Sequence, residues 1–462
     1  MSQIRTRPRA SALAITGWVL FDWACKPFFT LVMTFIYAPY FASTVVGDPA
    51  RGQSLWGFAT ASAGLVVAFS SPVLGAIADA TGRRKPWIAA FGVLIVLGSA
   101  ALWIGKPGDQ AVILPTLIAF TVGAIGVEFA AVFSNTMMPL LVPREKIGSL
   151  SGLGWAVGYV GGMISLIFSL GFIASDPETG RTLLGLSPIF GLDAAAHEGD
   201  RAMGPLTALW FTVFAVPFFL FTPDEKPAKK FLPAIRHGFR SIIETARTAR
   251  RHRDLAYFLL ANMIYTDGLL ALFAFGGIYG AGTFHWGTIE LGLFGILLTI
   301  TGSFGAYVGG VLDDRLGAKT VVLGSLVILV TCCFAILSVN RDSILFFLPT
   351  APPIPGNGLF STVAERLYMA LGGLIGMAAG PLQAASRTLL VRLAPNDRLA
   401  QFFGLFALSG KLTSFTGPFL VATVTAITAS QKAGISVLVA FFFVGGVLLA
   451  GARISDGNGG RR

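Results

Sequence analysis

The chain has 462 residues, 54% of them hydrophobic and only 12% charged, with a mean hydropathy of +0.73. Soluble domains carry about 25% charged residues, so this composition excludes a soluble globular protein and points to a chain embedded in a lipid bilayer. The formal charge of +11 does not imply a nucleic-acid partner, because the basic residues sit in short loops between apolar runs, as the positive-inside preference requires.

Apolar runs of about 20 residues begin near Ala12, Leu55, Trp87, Val112, Leu153 and Met203. A second set begins near Leu255, Ile289, Thr320, Leu367, Phe402 and Ile435. The first run is too long for a signal-peptide core and no A-x-A pattern follows it, so it counts as a span. The spacing predicts an all-α membrane protein of twelve transmembrane helices in two six-helix bundles, residues 1–221 and 255–462. Residues 222–254 link them through a basic amphipathic helix. There Leu232, Ile235, Phe239, Ile242, Ile243 and Ala246 recur at helical spacing between arginines, which suits an anionic membrane surface.

An even number of spans puts both termini on one side. That side holds 24 of the 34 Lys and Arg residues, so both termini are expected in the cytoplasm. Short loops without an N-x-[ST] sequon favour a bacterial inner membrane.

Six charged residues fall inside the predicted spans: Asp22, Lys26, Glu128, Asp267, Arg387 and Lys411. A charge at the centre of a membrane helix costs roughly 2.5–3.5 kcal/mol on insertion scales, so such residues usually carry function or hold partners. Asp22 and Lys26 are four apart, the favourable order for a helical ion pair, and Pro27 follows directly. Their plain alternative role is a self-neutralising pair that eases insertion. Asp267 has no basic residue within one turn and is the stronger candidate for carrying a proton. Lys411 lies about ten residues into its span, roughly 15 Å at 1.5 Å per residue, and needs an acidic partner or an anionic substrate group. Arg387 is near enough to the membrane surface to snorkel.

The two halves repeat. Gly75-x3-Asp79-x2-Gly82-Arg83-Arg84 matches Gly310-x3-Asp314-x2-Gly317-Ala318-Lys319, and Pro143-x8-Gly152-x5-Gly158 matches Pro395-x8-Gly404-x5-Gly410. The first pair reads as a cytoplasmic gate built from Gly75, Asp79, Gly82, Arg83, Arg84 and Asp314. Under the repeat, Asp267 corresponds to Asp22, Arg387 to Asn135 and Lys411 to Tyr159. Parallel repeats of six helices place a transport site between the halves near the midplane. The candidate substrate or coupling residues are therefore Asp22, Lys26, Glu128, Asn135, Tyr159, Asp267, Gln383, Arg387 and Lys411.

An enzyme is not expected. His197, His237, His252 and His285 fall in loops without a ligand or catalytic spacing, and Gly410-Lys411-Leu412-Thr413 lacks both the preceding strand and the glycine of a phosphate loop, with Ser409 in its place. Cys25, Cys332 and Cys333 lie in apolar runs at no metal or redox spacing, so neither a metal nor another cofactor is expected.

Several stretches together resemble the vacuole effluxer group of the major facilitator superfamily, also called the unknown major facilitator family. They are the Asp-Trp-Ala core of Trp18–Phe41, FSNTMMPLL at 133–141, GLGWAVGYVGG at 152–162, FLLANMIYTDG at 258–268 and the long match at 380–418. In that last match Gln383, Ser386-Arg387 and Phe402-Phe403-Gly404 occur in order. The resemblance implies an alternating-access transporter, and fungal relatives are associated with release of amino acids from the vacuole. The family pattern continues Asp-Trp-Ala-Asn-Ser-Ala-Phe, whereas this chain has Cys25-Lys26-Pro27-Phe28, a departure that bears on the substrate. The expected function is proton-coupled, or Na⁺-coupled, movement of a small polar solute such as an amino acid by a monomer. The alternatives are an uncoupled effluxer of amphipathic compounds and a non-transporting membrane sensor or scaffold.

Overall fold

The computed structural model describes residues 11–81, 83–142, 147–224, 253–351, 358–393, 406, 410 and 413–452. Gly82, Lys411 and the predicted surface helix of the linker lie outside them.

In a bilayer every backbone N–H and C=O must be satisfied within the span, which leaves helices as the solution for apolar runs of this length. The first six are α1 (Ala12–Val45), α2 (Pro49–Thr81), α3 (Lys85–Ala101), α4 (Ile113–Asn135), α5 (Ile147–Phe168) and α6 (Met203–Phe221). The second six are α7 (Arg253–Phe284), α8 (Thr288–Leu316), α9 (Ala318–Leu337), α10 (Val363–Leu393), α11 (Thr416–Thr428) and α12 (Gln431–Gly451). Ten of these positions are long and apolar enough to cross a membrane among the described residues. The other two are the 33-residue α2 and the 13-residue α11. Each predicted run thus carries a helix. A two-residue hairpin, β1 (Ser343–Ile344) with β2 (Leu348–Pro349), sits in the α9–α10 connection.

The outward faces are apolar. Phe69, Leu97, Leu114, Leu209, Val327, Ile427 and Phe443 are all well exposed, an arrangement that only lipid makes favourable. Cohesion between helices then depends on close packing, and small residues supply it. At Gly154 an added Cβ would stand 2.5 Å from Asp22 Oδ2 and 2.9 Å from Trp18 Cζ3; at Gly161 it would meet the Trp23 ring at 2.8 Å. These glycines form the face of α5 that lies against α1.

Pro27 explains the shape of α1. Proline lacks an N–H, so the carbonyl four residues back loses its helical donor. That carbonyl belongs to Trp23, and the indole Nε1 of Trp210 on α6 donates to it at 3.3 Å. Beyond Pro27 the helix widens into a π segment, Phe28–Phe35, a common accompaniment of functional sites. The far end of α1 is tied down by Tyr37 and Tyr40, whose hydroxyls donate to the carbonyls of Leu102 and Gly105, each at 2.6 Å.

Among the described residues, hydrogen bonds between the first six and last six helices gather at the end opposite the termini. Gln53 Nε2 on α2 donates to Thr425 Oγ1 on α11 at 2.9 Å, and Gln431 Nε2 on α12 donates to the Pro49 carbonyl at 3.0 Å. Thr288 on α8 donates to Asp200, which also meets His197 Nδ1 at 2.8 Å. Bulk closes the same end: Gly292 faces Leu170, Gly295 faces the Phe35 ring, and Gly57 faces Phe275 and Ala422.

Candidate functional site

Below that closed end, side chains from both sets of helices converge on one aromatic pair. Trp155 and Tyr159 are four apart on α5 and therefore share a face, with ring centroids 5.7 Å apart. Lys26 Nζ on α1 stands 4.0 Å from the Tyr159 ring centroid and 4.6 Å from that of Trp155. Arg387 Cζ on α10 approaches the Trp155 ring from the other set, at 5.8 Å, and lies within electrostatic reach of Tyr159. Trp155 keeps 41% and Tyr159 39% of its surface open. A cation from each set of helices thus reaches this partly open aromatic pair.

The structure changes the expected arrangement of Asp22 and Lys26. They remain close enough to interact through space, yet they make no contact ion pair. Glycine at 154 is the reason: without a side chain there, α5 closes on α1 and the Asp22 carboxylate lies against the Gly154 backbone. Lys26 turns instead toward the rings of α5, its stem passing Gly162. The cation–ring contacts take the place of the predicted helical pair.

The other predicted residues fall at three levels. Glu128 on α4 lies within electrostatic reach of Cys25 on α1. Gln383, half-buried, lies one turn before Arg387 on the same face of α10. Asn135 is exposed as the last residue of α4. Its neighbour Ser134 accepts the Trp18 indole N–H through its carbonyl at 2.9 Å, which places Asn135 one turn from Asp22 toward the termini. Tyr159 belongs to the cluster; Lys411 lies outside the described residues.

Asp267 is buried on α7, 2% exposed, and its Oδ1 has no hydrogen-bond partner among the described residues. The Thr413 hydroxyl, at the approach to α11, faces its carboxyl group. A buried carboxyl group with an oxygen left in this state is costly unless it is neutralised or paired. Nearby, the Tyr265 hydroxyl and Ser386 Oγ are 2.6 Å apart, joining α7 to α10 just before Arg387.

At the predicted gate, Gly75 and Asp79 lie on the last turns of α2 and Gly82 lies outside the described residues. Arg83 is exposed. The backbone N–H groups of Arg84 and Lys85, at the start of α3, are capped by the Asp224 carboxylate at 2.9 and 3.1 Å. That bond ties α3 to the end of α6. In the second half the side chain of Asp314 is not described. The adjacent Asp313 is buried and forms an ion pair with Arg392 of α10, Nη2 to Oδ1 at 3.1 Å. The N–H directions miss that oxygen, so the contact is ionic rather than a well-aligned hydrogen bond.

Sequence reasoning missed Trp155, Asp200 and Asp313. Trp155-x3-Tyr159 was an available signal, since two amphipathic rings at helical spacing among glycines suit a lined pathway. Asp200 and Asp313 sit at span ends, where a carboxylate is unremarkable. A separate small recess of about 30 Å³ lies between α1, α7, α8 and α10, lined by Thr34, Phe35, Leu272, Phe294 and Tyr368. No charged residue lines it.

The two sets of six membrane helices have the fold of major facilitator transporters, and solved structures share it. The nucleoside transporter NupG superposes with a TM-score of 0.64 at 13% identity, over 96% of this chain and 99% of that one. A bacterial homolog of the human lysosomal transporter Spinster gives 0.62 at 13% over 95% of each, and the xylose transporter XylE from E. coli gives 0.60 at 13% over 96% and 95%. Residues 46–459 match the family described as "Vacuole effluxer Atg22 like", and the chain belongs to that family. It is 24% identical to the uncharacterized MFS-type transporter YxiO of Bacillus subtilis over 94% of this chain and 93% of that protein. Autophagy-related protein 22-2 of Aspergillus clavatus is 23% identical over 60% of this chain, which spans 43% of the fungal protein's length. Family and fold are those of a multi-pass transporter of small molecules, not of an enzyme.

Proposed function

We propose that the chain is a secondary active transporter that moves a small polar solute, with amino acids as the leading class, by alternating access coupled to protons. The observation that carries this reading is the meeting of Lys26 and Arg387, from opposite sets of helices, on the Trp155–Tyr159 pair. A solute bound there touches both bundles, so its binding free energy can bias their rocking. The bundles are residues 1–221 and 255–462, joined by the linker 222–254, and the working unit is a monomer. With both termini in the cytoplasm of a bacterial inner membrane, the closed end is external and the solute reaches the aromatic pair from the inside. Substrate contacts come from Asp22, Lys26, Tyr159, Gln383 and Arg387, while Asp267 carries the proton.

Asp267→Asn tests the coupling. In proteoliposomes it is expected to abolish solute flux driven by an imposed pH gradient while leaving solute exchange intact. Gradient-driven flux at the wild-type rate would rule out Asp267 as the proton carrier. The competing reading is uncoupled efflux of amphipathic compounds, whose mark is flux insensitive to protonophores.

A further inference from the structure

We infer that Lys26 and Arg387 form an anion site shared between the two bundles, and that the solute it takes is a small carboxylate whose flat or apolar body lies on Trp155. This rests on the transporter reading above and specifies the class of solute.

Two cations approach one ring system from opposite sides, and neither forms a contact ion pair among the described residues. The nearest acid to Lys26 on its own helix, Asp22, is turned against Gly154. Glu128, on α4, lies within electrostatic reach of Cys25 and makes no contact ion pair with Lys26. The two positive charges therefore rest on aromatic faces, an attraction worth about 0.5–2 kcal/mol at most sites. A charge-assisted hydrogen bond to a carboxylate is stronger, and guanidinium binds carboxylate through two parallel N–H bonds. An entering anion can thus draw both side chains off the rings. That uncovers the Trp155 face for the rest of the solute. A neutral sugar or nucleoside offers nothing to offset two like charges.

The geometry also gives the anion a mechanical role. Lys26 and Arg387 belong to helices that move relative to each other in alternating access, so a carboxylate held by both favours the closer approach of α1 and α10. Gln383, one turn from Arg387 on the same face, is placed to read a neighbouring polar group of the solute.

Equilibrium binding to the purified full-length protein in detergent tests this with a matched series on one skeleton: 3-phenylpropionate, phenylalanine, phenylalanine amide and 3-phenylpropanol. The two carboxylates are expected to bind, and the amide and the alcohol to bind at least tenfold more weakly. Lys26→Gln and Arg387→Gln should each weaken carboxylate binding by roughly ten- to a hundredfold, the range for a hydrogen bond to a charged group. Lys26→Arg and Arg387→Lys keep the charge and should retain most of it, which separates loss of charge from loss of fold. Equal binding of acid and alcohol, no binding by either carboxylate, or unchanged affinity in both glutamine variants would overturn the proposal. Gradient-driven transport of a neutral solute with no carboxylate binding would sink the anion site and leave the transporter reading standing. Carboxylate binding without any flux would do the reverse.

Discussion

The buried bond between Gln53 and Thr425 offers a measure of how firmly the closed end is held. Gln53 is fully buried, and its Oε1 has no partner among the described residues. Its Nε2 donates to Thr425 Oγ1 at 2.9 Å and only distantly to the Gln431 carbonyl at 3.4 Å. Thr425→Val keeps the side-chain shape and removes that acceptor, so the amide is left almost without partners. A buried polar group in that position costs about 1–3 kcal/mol, but only while the two bundles are together. Once this end opens, water satisfies the amide. The ratio of closed to open states should therefore fall about 5- to 150-fold, since each 1.4 kcal/mol is a factor of ten. Spin labels at Lys106 and Asp342, both exposed, would report it as a longer component in their distance distribution. The three native cysteines are buried, which limits background labelling. Adding Gln53→Leu replaces the stranded amide with an apolar side chain and should recover most of the loss. An unchanged distribution in Thr425→Val, or no recovery in the double variant, would refute the reasoning.

Other outcomes follow from the packing of α1. Gly154→Ala places a Cβ against Asp22 Oδ2 and the Trp18 ring, overpacking that typically costs about 1–3 kcal/mol; it should lower the thermal midpoint and weaken solute binding together. Trp210→Phe removes the donor that serves the carbonyl freed by Pro27 and should cost about 1 kcal/mol in unfolding. Pro27→Ala restores the helical donor and should suppress that loss, whereas equal destabilisation in the two backgrounds would show that the indole bond has no such role.

How legible the site was depended on the kind of feature. The charges of Asp22, Lys26, Asp267 and Arg387 stood out because an ionised group in an apolar run is rare and costly. Their partners were hidden. The i, i+4 spacing of Asp22 and Lys26 predicted a helical pair, but Gly154 brought α5 so close that the carboxylate and the ammonium turned to different neighbours. The repeat located the region of Asp314, yet the described ion pair uses Asp313, one position away and about 100° around the helix at 3.6 residues per turn.

The sequence by itself determined that the chain lives in a membrane, where its spans lie, which of them carry charge, and where α1 must break its hydrogen-bond ladder. These are local properties of hydropathy, of an ionisable group in an apolar run and of proline. The tertiary structure alone decided which faces meet. A soluble helix announces its buried side by its apolar stripe, but in lipid the outward side is as apolar as the inward one, so the pattern carries little information about facing. The assembly of Lys26, Trp155, Tyr159 and Arg387 from α1, α5 and α10 therefore emerged only when the glycines of α5 were seen to let the helices close.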